Sequence, residues 1–332
     1  MKKKRWIAFG VTLLLLCLIF YKINFAELFS TLKNFNVKYL IYIVPLYISS
    51  LYLRGIRWKN LLLNDKKYSS FQLMQVFTVG SMLNTFLPAR AGDLYRACYL
   101  GEIKSEQKMK IFGSVIFERI MDGIAVLILL LTALFMYRSS EFLMNIAYFT
   151  GSLFLFGFIF VFLMFKYNKT DMIFTHIENF FSKNFSEKAA DFVGKIKDYT
   201  NSFISGFEVF SCGKCLFTSF VLSLIIWIIE AIIAYEVMVS LNLPLGMTAA
   251  LFVTSLTSLS TVIPSTSVFL GPYQYAYIIA LSLNSSITKS TALACAAVHQ
   301  TILILILAIL GIFWLLKFNI SLPELKNIKK SN

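Results

Sequence analysis

Charge is scarce in this chain. Only 14% of its 332 residues are Asp, Glu, Lys or Arg, too few to cover a water-soluble domain of that length. Acidic residues are the scarcer kind, 17 against 31 basic ones. The surplus of +14 would suit a nucleic acid only if a soluble basic domain held it, and none is visible, so no nucleic-acid partner is expected. Histidine occurs only twice. No metal-ligand cluster, nucleotide-binding loop or nucleophile-base signature is found, so the chain is not read as an enzyme and no metal or cofactor is expected. The five cysteines, Cys17, Cys98, Cys212, Cys215 and Cys295, are scattered and imply no disulfide framework. Cys212-Gly-Lys-Cys215 is a lone pair, read as free thiols beside a membrane segment.

What the chain has in quantity is apolar: 58% hydrophobic, 16% aromatic, with mean hydropathy +0.73. A bilayer absorbs such an excess, because a span of about 20 apolar residues satisfies its own backbone inside a helix. Long apolar segments run over 6–21, 39–53, 111–137, 142–165, 215–241 and 291–316, and predict six full spans. The start, MKKKRW and an apolar run to Tyr21, imitates a signal peptide, but bulky leucine precedes Cys17 and no small-residue cleavage site follows, so it reads as a retained first span. Two further apolar stretches are broken, 71–88 by Pro88 and Gly92, and 247–283 by Pro264, Gly271 and Pro272. These predict two re-entrant or broken-helix hairpins. The 37 residues of the second can also be arranged as two crossings with the same ends.

Lys and Arg then sort to one side. They crowd 1–5, 54–110, 166–214 and 317–332, leaving Lys22, Lys33, Lys38, Arg138 and Lys289 opposite. The expectation is an all-α polytopic protein of the cell (cytoplasmic) membrane, one integral membrane domain over 1–332, with both termini cytoplasmic. Its order repeats with inverted orientation, 39–137 against 215–316, around a cytoplasmic loop at 166–211 that carries an amphipathic helix near 185–203.

Three groups of residues can carry chemistry. At the first break, Asn84, Asp93, Arg90 and Arg96 surround Pro88 and Gly92; the arginines suit a phosphate and Asp93 can hold one of them, or both can be interfacial anchors. On 111–137, Ser114, Glu118 and Asp122 share one helix face, with Asp122 about 17 Å deep at 1.5 Å per residue. Arg119 can pair with Asp122 one turn on, which would make the two a self-neutralised packing element. Glu230, on one face with Ser223 and Trp227, and His299 are the third group, read as positioning or proton-coupling groups or, for His299, a packing residue.

At these residues the chain resembles the family named after the transmembrane region of lysylphosphatidylglycerol synthase. The resemblance rests on Arg57-Trp58-Lys-Asn-Leu61-Leu62, on Asn84 to Arg96 as N-x-x-L-P-x-R-x-G-D-x-x-R, and on Glu118-Arg119-x-x-Asp122. The family's second Pro-Gly motif is degraded here to Pro264-Ser-Thr-Ser-Val-Phe-Leu-Gly271-Pro. The resemblance implies a lipid-related role without lysyl transfer. The expected function is a flippase-like transporter of an anionic or amphiphilic lipid or lipid-linked headgroup, with Arg90, Arg96 and Arg119 receiving the phosphate. The alternative is a non-catalytic membrane subunit that docks a cytoplasmic enzyme of envelope-lipid synthesis.

Overall fold

The computed structural model describes residues 24–63, 68–87, 90–137, 141–167, 187–261, 269–284 and 286–317. Every regular element among them is helical: α1 (Phe25–Lys33), α2 (Leu40–Leu61), α3 (Ser70–Phe86), α4 (Ala91–Lys104), α5 (Lys108–Tyr137), α6 (Glu141–Tyr167), α7 (Glu187–Ser205), α8 (Gly213–Ser240), α9 (Met247–Ser260), α10 (Pro272–Leu281) and α11 (Lys289–Lys317), with short 3-10 turns between. Stretches long and apolar enough to cross a membrane are Val37–Leu61, Lys108–Met136, Ala147–Tyr167, Gly213–Ser240 and Lys289–Lys317. They coincide with the second to sixth spans expected from hydropathy. The first expected span, 6–21, lies outside the described residues, as do Pro88 and Pro264. The chain is an all-α polytopic membrane protein.

The helices wear their apolar residues on both sides, as a bilayer allows. On α2 one face, Ile43, Tyr47, Ser50, Arg54, Arg57, Trp58 and Leu61, is buried, while Ile41, Tyr42 and Tyr52 on the other are exposed. α6 is the extreme case, with Phe149, Phe156 and Phe160 all exposed. Both interrupted stretches form pairs of short helices, α3 with α4 and α9 with α10. Across the molecule α2 lies along α8, α5 along α9, and α3 along α11.

Close approach at the first break depends on glycine. A Cβ on Gly92 would stand 1.8 Å from the carbonyl oxygen of Gly80, so α3 and α4 touch backbone to backbone. A second such contact ties α7 to α5: a Cβ on Gly113 would meet the Phe203 carbonyl at 2.3 Å, and one on Gly206 would meet that of Lys110 at 2.4 Å. The helix expected near 185–203 is thus a docked element rather than a free one.

The structure corrects one expectation about cysteine. Cys212 and Cys215 form a disulfide instead of standing as free thiols, because Cys212 caps α8 and Cys215 follows within its first turn, which brings their Cα atoms to 5.2 Å.

Candidate functional site

The Ser114, Glu118, Asp122 stripe of α5 faces protein, and α2 supplies what it meets. Ser50, Arg54 and Arg57 recur at helical spacing on the buried face of α2, so both arginines project inward toward α5 and α8. Arg57 reaches Asp122 with both terminal nitrogens, Nη2 at 3.1 Å from Oδ2, and also donates from Nη1 to Ser223 Oγ at 2.8 Å. Its Nη2 lies 3.2 Å from Glu118 Oε1. Arg54 donates to Glu230 Oε1 at 3.2 Å and stands 3.8 Å from Asp122 Oδ2. Ser50 Oγ donates to the same Glu230 oxygen at 2.8 Å, and Trp227 Nε1 donates to Asp122 Oδ1 at 2.9 Å.

On the other side of Glu118 the series continues into α4. Arg96 grips Glu118 through Nη1 at 3.3 Å and Nη2 at 2.8 Å, and its Nη1 lies 3.9 Å from Asp93 Oδ1. Arg119 then donates to Asp93 Oδ1 at 2.9 Å. The result is an unbroken row of alternating sign, Glu230, Arg54, Asp122, Arg57, Glu118, Arg96, Asp93, Arg119, drawn from α2, α4, α5 and α8. Four positive charges balance four negative ones. Arg57, Arg96 and Glu118 are wholly buried, while the Arg119 side chain keeps 31% of its surface open. An isolated charge at that depth would cost several kcal/mol; alternation removes most of that penalty. Aromatic faces cover what the carboxylates do not: Arg96 lies 4.0 Å from the Trp58 ring centroid and 4.6 Å from Phe77, and Arg54 5.3 Å from Trp227.

Asn84 organises the first break. Arg90, at the N-terminus of α4, has left-handed backbone (φ 51°) and offers no side-chain cap. Asn84 Oδ1 caps instead, accepting from the backbone N–H groups of Gly92 at 2.8 Å and Asp93 at 3.2 Å, while Nδ2 donates to the Asp93 carboxylate at 2.9 Å. Asn84→Ala should therefore lower stability by about 1–2 kcal/mol, read as a lower unfolding temperature in detergent micelles. Arg90 itself turns to the second interrupted stretch and donates to the Thr261 carbonyl at the end of α9 at 3.1 Å, so the two breaks meet.

Of the residues expected at the site, Asn84, Asp93, Arg96, Glu118, Arg119, Asp122 and Glu230 are joined by hydrogen bonds and ion contacts into one cluster, with Arg90 beside it and bonded to Thr261. Arg119 pairs with Asp93, not with Asp122 as its spacing suggested, because Arg57 from α2 already occupies Asp122. His299 stands apart, its Nδ1 at 3.1 Å from the Tyr273 hydroxyl and 3.0 Å from that of Tyr277, with Nε2 buried and without a partner among the described residues. Gly271, at φ 95°, starts α10, and its N–H donates to Gln274 Oε1 at 2.9 Å. Arg54 and Arg57 were missed as site residues, since hydropathy places them in a cytoplasmic flank. Their spacing with Ser50 on one face was the available signal.

Residues 5–311 match the family described as the Lysylphosphatidylglycerol synthase TM region. A UPF0104 membrane protein of Methanocaldococcus jannaschii is 29% identical over 250 residues, covering 74% of this chain and 99% of the relative. No solved structure matches the chain. A shared profile over nearly the whole length, together with the Asn84 to Arg96 break and the Glu118, Arg119, Asp122 helix found in one cluster, makes the chain a member of the lysylphosphatidylglycerol synthase transmembrane-region family.

Proposed function

We propose that this protein moves an anionic or amphiphilic phospholipid, or a lipid-linked headgroup, across the cell membrane without performing enzymatic chemistry on it. The observation that carries the reading is the balanced row of eight charges inside a bundle of membrane-length helices. Packing alone is served by small apolar residues, so arginines kept at depth point to polar cargo. The row's open end, Arg119, is near enough to Arg90 for the two charges to act on each other, and Arg90 marks the meeting of the two breaks, where a headgroup phosphate would find forked donors. In the described state Arg96 is held by Glu118 and stacked between rings, so it orders the row while Arg119 and Arg90 receive the phosphate.

The helix lengths support the re-entrant arrangement. At 1.5 Å per residue α3 spans about 26 Å, α4 and α9 about 21 Å, and α10 about 15 Å, each short of the roughly 30 Å hydrocarbon layer. With both hairpins returning to their own side, the termini are cytoplasmic, and α2 to α5 and α8 to α11 form inverted halves. The reciprocal packing of α5 on α9 and α11 on α3 fits such halves. In proteoliposomes carrying fluorescent phosphatidylglycerol, with leaflet distribution read by chemical quenching, Arg119→Ala and Asp122→Asn should reduce translocation to the protein-free background. Wild-type rates in both variants would refute the reading.

A further inference from the structure

The row of charges is more ordered than alternation requires. Its hydrogen bonds fall on every second link: Glu230 with Arg54, Asp122 with Arg57, Glu118 with Arg96, and Asp93 with Arg119. The links between, Arg54 to Asp122 at 3.8 Å, Arg57 to Glu118 at 3.2 Å and Arg96 to Asp93 at 3.9 Å, are ion contacts without a hydrogen bond. A small displacement of each guanidinium therefore converts this set of four pairs into a second set of three. In the second set each interior group still has an opposite charge, but the two ends, Glu230 and Arg119, are left single.

The geometry points to a proton site at Glu230 that is coupled through this row to an anion site at Arg119. This rests on the lipid-handling reading and supplies its exchange partner. An anionic headgroup that takes Arg119 releases Asp93 to Arg96, Glu118 to Arg57, and Asp122 to Arg54. Glu230 is then a buried carboxylate without a cation, the condition under which a carboxylate binds a proton. One proton is gained per negative charge bound, so the net charge in the bundle does not change; both leave when Arg119 returns to Asp93.

The two ends are built differently from the middle. Arg119 is the row's most open member, and its Nε has no partner among the described residues. At Glu230 both hydrogen bonds fall on Oε1, and Oε2 accepts none among the described residues. The ionisable groups around it are Arg54 and Tyr47 from α2, Asp122 from α5 across Arg54, and Tyr273 from α10, with His299 and Cys295 of α11 behind Tyr273 and Tyr277. α9 has no ionisable residue, and Lys38 and Tyr39 lie near the far end of α8, where Asn36 bonds Ser240. Tyr273 and Tyr277 both bring their hydroxyls to His299 Nδ1, at 3.1 and 3.0 Å.

The test uses dicyclohexylcarbodiimide, which modifies buried carboxylic acids only when they are protonated, with the adduct located by peptide mass on the full-length protein in detergent. Arg119→Gln, at the opposite end of the row, should raise modification of Glu230 about tenfold at neutral pH, because the row is then one guanidinium short and its last carboxylate is left unpaired. Arg119→Lys, which keeps the charge, should leave it at the wild-type level, and Glu230→Gln should carry no adduct at that position. Modification of Glu230 unchanged in Arg119→Gln would overturn the coupling. If that variant is not monodisperse, wild-type protein decides: about threefold more adduct in phosphatidylglycerol than in phosphatidylcholine vesicles is expected, and equal yields would overturn it. Lipid exchange measured in the same vesicles separates the two ideas. Exchange without an adduct difference retains the lipid reading and removes the coupling, whereas a difference without exchange does the reverse.

Discussion

Arg57→Ala is expected to lower stability by about 3–5 kcal/mol, the range for removing one partner from a buried ion pair. Arg57 is wholly buried and holds Asp122 through two hydrogen bonds, Ser223 through a third and Glu118 through an ion contact. Its loss leaves four carboxylates facing three guanidinium groups, at a depth where solvent compensates poorly. The effect should be visible as a large fall in the unfolding temperature in micelles and in the yield of monodisperse protein. Arg57→Lys should recover only part of it, because one ammonium cannot span the three side chains that the planar fork joins. A loss below about 1 kcal/mol for the alanine variant would mean that the row is solvated and not a sealed element.

Gly92→Val is the second severe change, expected at about 3 kcal/mol or more. The first added carbon meets the Gly80 carbonyl oxygen at 1.8 Å and the Asn84 backbone nitrogen at 2.9 Å, neither of which can rotate away. Relief requires α3 and α4 to separate, and that pulls Asn84 from the N–H groups of Gly92 and Asp93. Gly80→Val acts through the same contact but strikes the Arg96 side chain, at 2.6 Å and 2.8 Å, so it should disturb the stacking of Arg96 on Trp58 as well. Thermal unfolding of both variants, beside a mild exposed change such as Phe149→Leu, provides the measurement. A Gly92→Val protein as stable as wild type would show that the two helices are not in backbone contact.

Hydropathy made the long helices and the two breaks readable, because a bilayer imposes length and composition on single segments. The same local physics exposed the Ser114, Glu118, Asp122 face, since helical spacing is a property of one helix. Partner choice is not local. Arg119 has Asp122 three residues away yet bonds Asp93, and Asp122 is taken by Arg57, 65 residues distant in the chain. Arg54 and Arg57 were hidden for a related reason: hydropathy falls where α2 reaches its arginines, although the helix runs on to Leu61 with its charged face turned inward. The Cys212 and Cys215 bond was likewise unreadable from spacing alone, which is equally compatible with free thiols.

The backbone contact between Gly113 and the end of α7 has a mechanical result. Glu118 and Asp122 lie about one and a half and two and a half turns along α5 from Gly113, about 8 and 14 Å at the helical rise. Force applied to α7 is delivered to a stiff rod that carries two of the four carboxylates. Tilting α7 therefore carries Glu118 and Asp122 with it relative to the arginines of α2, so the spacing of the row is set in part by a helix that contributes none of its charges.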